Sequence, residues 1–162
     1  MQTDTGPLGI YLNDHLAGAT VGVELFRRAS GSAQGTAKTQ LQDLTTQVEQ
    51  DRESLLTLMR TLGVPVRHYK VLAGWVLEKA GRFKPNGRLL SRSPLSDLIE
   101  LEGLSLGVHG KAAGFRALRH LADTDTRLDA THLDELIDRA EHQADALEEM
   151  RILTAVRVLT AP

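Results

Sequence analysis

One stretch constrains this chain more than any other. From Thr39 to Leu62 the residues Leu41, Leu44, Val48, Leu55, Leu58 and Leu62 hold a heptad seam, interrupted only where Asp51 takes the next position after Val48. A seam of that length specifies a helix that must bury one face against other helices. Gly63 ends it, and Pro65 prevents its continuation.

Three further blocks repeat the helical pattern. The first is expected from about Leu8 to Ser30, with Leu12, Leu16, Ala19, Val23 and Phe26 as its stripe and Val21 and Leu25 widening it. Gly31-Ser32 and Gly35 predict a short loop after it. The third long helix opens on Ser93 as N-cap, with Pro94 at its first position and Asp97 near its positive end. It is expected to run from 94 to about Leu121. One of its stripes is Leu101, Leu104, Val108, Ala112, Phe115 and Leu118. A second is Leu95, Leu98, Ile99, Leu106 and Ala113, with Glu102 and His109 inside it. The last helix spans about Asp129 to Leu159. Its seam is Leu133, Leu136, Ile137, Ala140, Ala144, Leu147 and Met150, and its wet side is Glu135, Asp138, Glu141, His142, Asp145 and Glu149.

No alternating strand pattern is present. Four long amphipathic helices are best satisfied by packing on one another. Short connections make the first and second helices, and the third and fourth, antiparallel neighbours. The roughly 30 residues between the hairpins are long enough to cross a bundle, and 68–82 reads as a short helix with Val71, Leu72, Trp75, Val76 and Leu77 on its apolar side. The expected fold is therefore all-α: one domain over 1–162, an antiparallel four-helix bundle of ferritin-like topology with an extra helix in the crossover.

Composition narrows function by exclusion. With 162 residues, 41% hydrophobic, a self-sufficient core is available. The absence of Cys removes disulfide frameworks, thiolate metal sites and thiol nucleophiles. A net charge of -2 argues against a dedicated nucleic-acid binder. No apolar run reaches membrane-spanning length, and the polar start of the chain lacks a signal-peptide pattern, so a cytoplasmic location is expected.

The stretches YLNDHLAGATVGVELFRR from Tyr11, VEQDRESLLTLM from Val48 and EKAGRFKPNGRLLSRSPLSDLIELEGLSLGVHGK from Glu78 resemble a family of uncharacterised bacterial proteins. The resemblance runs from about Tyr11 to Leu118 and implies a ferritin-like bundle without implying an activity. Di-metal proteins of that topology place inward Glu residues and Glu-x-x-His pairs on their helices. This chain has no Glu-x-x-His. Its nearest approximations are His132-Leu133-Asp134-Glu135 and Asp138 with His142, both expected on the wet face.

Four polar residues interrupt apolar stripes: His15, Asp51, Glu102 and His109. They are the candidate binding residues. Three readings stand open: a structural polar layer in which Arg52, Lys111 or Arg151 pairs with the carboxylates, an exposed helix edge at Asp51, or a small metal or ligand site. No metal or other cofactor is expected from the ligand pattern. Gly18 and Gly22 on the first helix, with Gly103, Gly107, Gly110 and Gly114 on the third, predict close backbone approach, of these two helices or of the crossover segment lying on them; space for a ligand is the alternative.

Charge is unevenly spread. Arg67, Lys70, Lys79, Arg82, Lys84, Arg88 and Arg92 face only Glu78, whereas Asp123 to Glu149 is acidic. Mutual pairing, within the chain or with a neighbouring subunit, is expected over a nucleic-acid patch. No nucleophile elbow or paired catalytic carboxylates appear. The expectation is a non-catalytic bundle working through protein contact or homo-oligomerisation, with an atypical metal oxidase and an apolar-ligand carrier as alternatives.

Overall fold

The computed structural model describes residues 6–67 and 93–160. They form four helices, with no strand among them: α1 (Pro7–Ser32), α2 (Gly35–Thr61), α3 (Pro94–Leu121) and α4 (Ala130–Leu159). The helix expected over 68–82 and the basic run from Lys70 to Arg92 lie outside the described residues.

Local chemistry sets the helix ends. The α1–α2 connection is shorter than expected, because α1 continues through Gly31 to Ser32. Only Ala33 and Gln34 separate the helices, and Gly35 supplies the positive φ of 58° that restarts the chain. At the end of α2, Gly63 adopts φ 70°. Its N–H bonds to Arg60 O while Val64 N–H reaches Met59 O, so two otherwise unpaired carbonyls are satisfied in a Schellman turn. Asp129 caps α4 by accepting from the backbone N–H groups of Thr131 and His132. The Ser93 hydroxyl accepts from Leu95 N–H at the start of α3, as expected.

Cross-helix pairs fix the directions. Arg27 meets Glu49 and Arg52 meets Thr20, so α1 and α2 are antiparallel. Arg116 meets Glu141 and Arg119 meets Asp134, so α3 and α4 are too. These two hairpins are the most intimate pairings. They join through α1 against α3 and, with the lightest contact, α2 against α4. The helix order round the bundle is thus α1, α2, α4, α3, and α2 and α3 run parallel. One core cluster gathers Leu12, Leu16, Met59, Phe115, Leu118 and Leu133 at one end. The other gathers Val23, Phe26, Leu44, Leu104, Val108 and Leu147.

Two tethers hold the first of these ends together. Asn13 donates to Gly9 O and Pro65 O and accepts from Arg67 N–H, binding the chain after α2 to α1. Arg127, in the α3–α4 loop, donates to Leu62 O and holds Asp125, whose carboxyl is lowered to about 2 by hydrogen bonds from the Arg127 side chain and backbone.

Candidate polar layer and adjoining groove

The heptad position at Asp51 points inward like its neighbours, so the carboxylate arrives in the bundle centre, 1% exposed. A buried carboxylate must be paired. Lys111 of α3 donates to Oδ2 at 2.5 Å and Gln143 Nε2 of α4 to the same oxygen at 3.0 Å. Arg139 of α4 donates through Nε to Oδ1 at 2.7 Å, and its Nη2 adds a second contact. Gln143, also 1% exposed, accepts from Lys111 and donates to Gln47 Oε1 at 3.2 Å. No buried side-chain polar atom lacks a partner among the described residues. This layer separates the two apolar clusters. Burial pushes the Lys111 ammonium below the ordinary lysine range; Asp51 opposes that shift and Arg139 reinforces it.

Of the open readings for Asp51, the structure shows the paired layer. Lys111 is one of the partners expected for it. Arg139 and Gln143 were not. Gln143 lies between the seam residues Ala140 and Ala144, a position that only a buried-amide reading of the helix would have singled out. Arg139 reaches in from the half-buried flank by its length.

The other three candidates do not converge on Asp51. Glu102 and His109 were expected inside a second apolar stripe of α3, but both are exposed. Apart from Leu98, which is buried, that stripe faces outward, since α3 buries the face carrying Leu101, Leu104 and Val108. Glu102 approaches Arg151 at 3.7 Å, the third of the expected cationic partners; Arg52 goes to Thr20 and Glu53. His15 is half-buried on α1, edge-on to Tyr11 with ring centroids 4.4 Å apart. Burial lowers its pKa, against the pull of Asp14. Among the described residues no three His, Asp or Glu side chains group so as to hold a metal ion.

Beside the polar layer lies a groove of about 770 Å³ between α1 and α3, with Val48, Asp51 and Leu55 of α2 at its back. Its walls include Leu12, Val21, Leu25, Phe26, Leu104 and Val108, and Lys111 faces into it. All six helical glycines singled out from the sequence line it. Close approach of the described helices does not explain most of them, and the crossover segment, the other expected neighbour, lies outside the described residues. A Cβ built at Gly18, Gly22, Gly103, Gly107 or Gly110 meets no described atom within 4 Å. Only Gly114 is packed: its Cβ would stand 2.8 Å from the His15 ring. The glycines therefore widen the groove, and Gly18, Gly103, Gly107 and Gly110 leave its mouth exposed.

A second surface is apolar without being concave. Leu95, Ile99 and Leu106 share an outer face of α3, and Ile152, Leu153, Val156 and Leu159 lie exposed toward the end of α4. Glu102–Arg151 and Asp97–Arg157 bridge the two helices there.

No helix among the described residues is long and apolar enough to cross a membrane. Compared with known proteins, the chain matches no family model and no curated relative.

Proposed function

We propose that this chain is a non-catalytic binding bundle that receives an apolar guest between α1 and α3. The observation that carries the reading is the groove itself. Its volume lies in the range of small-molecule sites, its walls are apolar, and a few polar groups stand at one point of its floor. The glycine pattern supports it, because each helix-interior glycine costs about 1 kcal/mol against alanine and five of the six obtain no close packing from the described residues in return. An oxidase reading finds little support, since Asp51 is saturated by Lys111, Arg139 and Gln143 and the other candidates lie elsewhere.

The test is titration of the full chain with 1-N-phenylnaphthylamine, followed by its fluorescence. Saturable binding near one per chain is expected, and Gly107→Leu, which fills the groove, should abolish it without loss of helicity. No binding, or binding indifferent to Gly107→Leu, contradicts the reading.

The exposed α3–α4 patch favours a second reading, contact with another copy or another protein. Exposure of Leu106 at 74% and Leu153 at 73%, with five more large apolar side chains, is more than scattered surface residues usually show. A concentration-dependent mass in sedimentation, reduced to that of one chain by Ile99→Lys, is the expected result. A wild-type chain that stays single at high concentration contradicts it. The proposal includes a ferritin-like linkage of the hairpins, supported by the parallel run of α2 and α3, and a cytoplasmic setting, which the lack of Cys suits.

A further inference from the structure

The polar layer holds two cations and one carboxylate. Lys111 and Arg139 both bond Asp51, and among the described residues Asp51 is the anionic group that acts on the Lys111 ammonium; Arg139 repels it. Arg139 is a third exposed and is partly solvated, whereas Lys111 is 16% exposed and lines the groove. A buried cation beside a like charge favours a second anion. The described residues offer none, and the groove is the side from which one can come.

The groove is also polarised along its length. From Gly103 to Leu118 its α3 wall runs about 22 Å, with Lys111 midway. Toward one end stand Asp14 and His15; toward the other the lining is wholly apolar, through Val21, Leu25, Phe26 and Leu104. The apolar part of an anion held at Lys111 is therefore better accommodated in the wholly apolar limb than beside Asp14 and His15. That limb is about 11 Å long, enough for a chain on the order of eight to ten carbons.

We propose that the groove takes a medium-chain carboxylate, its head against Lys111 and its chain lying toward Phe26 and Leu104. This rests on the reading of the groove as an apolar-guest site and names the class of guest.

The experiment is displacement of bound 1-N-phenylnaphthylamine from the full chain by decanoate, decanol and decylammonium, in wild type and Lys111→Met. Lys111→Met keeps Asp51 paired with Arg139 and Gln143. Decanoate should displace the dye roughly tenfold more effectively than decanol, the size of one charge-assisted hydrogen bond. Decylammonium should be weakest. Lys111→Met should bring decanoate down to the level of decanol and leave decanol unchanged. Equal displacement by acid and alcohol in wild type overturns the carboxylate assignment while the groove reading stands. No displacement by any of the three, with the dye bound elsewhere or not at all, overturns both. If Lys111→Met fails to fold, the wild-type ranking alone decides.

Discussion

The two hairpins meet along two seams, and the seams are built from opposite materials. Between α2 and α4 the backbones barely touch, and long polar side chains span the gap: Asp51 to Arg139, Gln47 to Gln143. Between α1 and α3 the helices approach more closely, yet side chains are missing where glycines stand, and a groove is left open. The comparison shows that close helices do not make a filled core and distant ones do not make a hollow one. What fills the space is side-chain reach.

Removal of the bridging anion should unsettle the α2–α4 seam most. Asp51→Ala leaves Lys111 and Arg139 facing each other without a counter-charge, and a loss of about 3–5 kcal/mol is expected in urea unfolding. A loss under about 1 kcal/mol would mean that the layer does not close the α2–α4 seam.

Matched leucine truncations sharpen the contrast next. Leu136→Ala, in the filled core, should cost about 3 kcal/mol, whereas Leu25→Ala, half-buried at the groove wall, should cost under about 1 kcal/mol. Equal costs in the same unfolding assay would show the groove to be as tightly filled as the core.

The glycines separate by sign. Gly114→Ala must displace the His15 ring and should destabilise by about 1–2 kcal/mol, relieved in the His15→Ala background. Gly107→Ala meets open space and should stabilise by up to about 1 kcal/mol through helix propensity. Melting temperatures moving in the same direction for both would put close packing back at Gly107.

The smallest effect is on pH. His15 is held below its ordinary pKa in the folded chain, chiefly by burial, so the unfolded chain binds the proton first. Stability should therefore fall as pH drops below 6.5 and stop falling from this cause once pH passes the folded value. His15→Gln should flatten that part of the profile measured by urea midpoints between pH 7 and 5; an unchanged slope would assign it to other groups.

Much of the fold was legible in local pattern. The heptad seam of α2 is buried at every expected position, Asp51 included, and the wet face of α4 is exposed as read. What misled was α3, whose two apolar stripes look alike in sequence. Only packing partners decide that Leu101, Leu104 and Val108 turn inward while Leu95, Ile99 and Leu106 stay out. Glu102 and His109 went with the wrong stripe for that reason. That Asp51 needs a counter-charge was legible, because a charge in a seam demands one, but Lys111 was only one of three cations the sequence offered for it. Arg139 and Gln143 were not legible, since their role depends on which helix stands opposite. The glycines were visible as an anomaly, but one-dimensional spacing does not distinguish a glycine that admits a neighbour from one that keeps a space clear.

The most direct measurement is intermolecular NOE contact between bound 1-N-phenylnaphthylamine and the methyl groups of an isotope-labelled full chain. Contacts to Val21, Leu25, Leu104 and Val108, with none to Leu95, Ile99, Ile152 or Val156, are the predicted result. Contacts confined to the second group, or a dye that touches no methyl of α1 or α3, would contradict a binding groove between these helices.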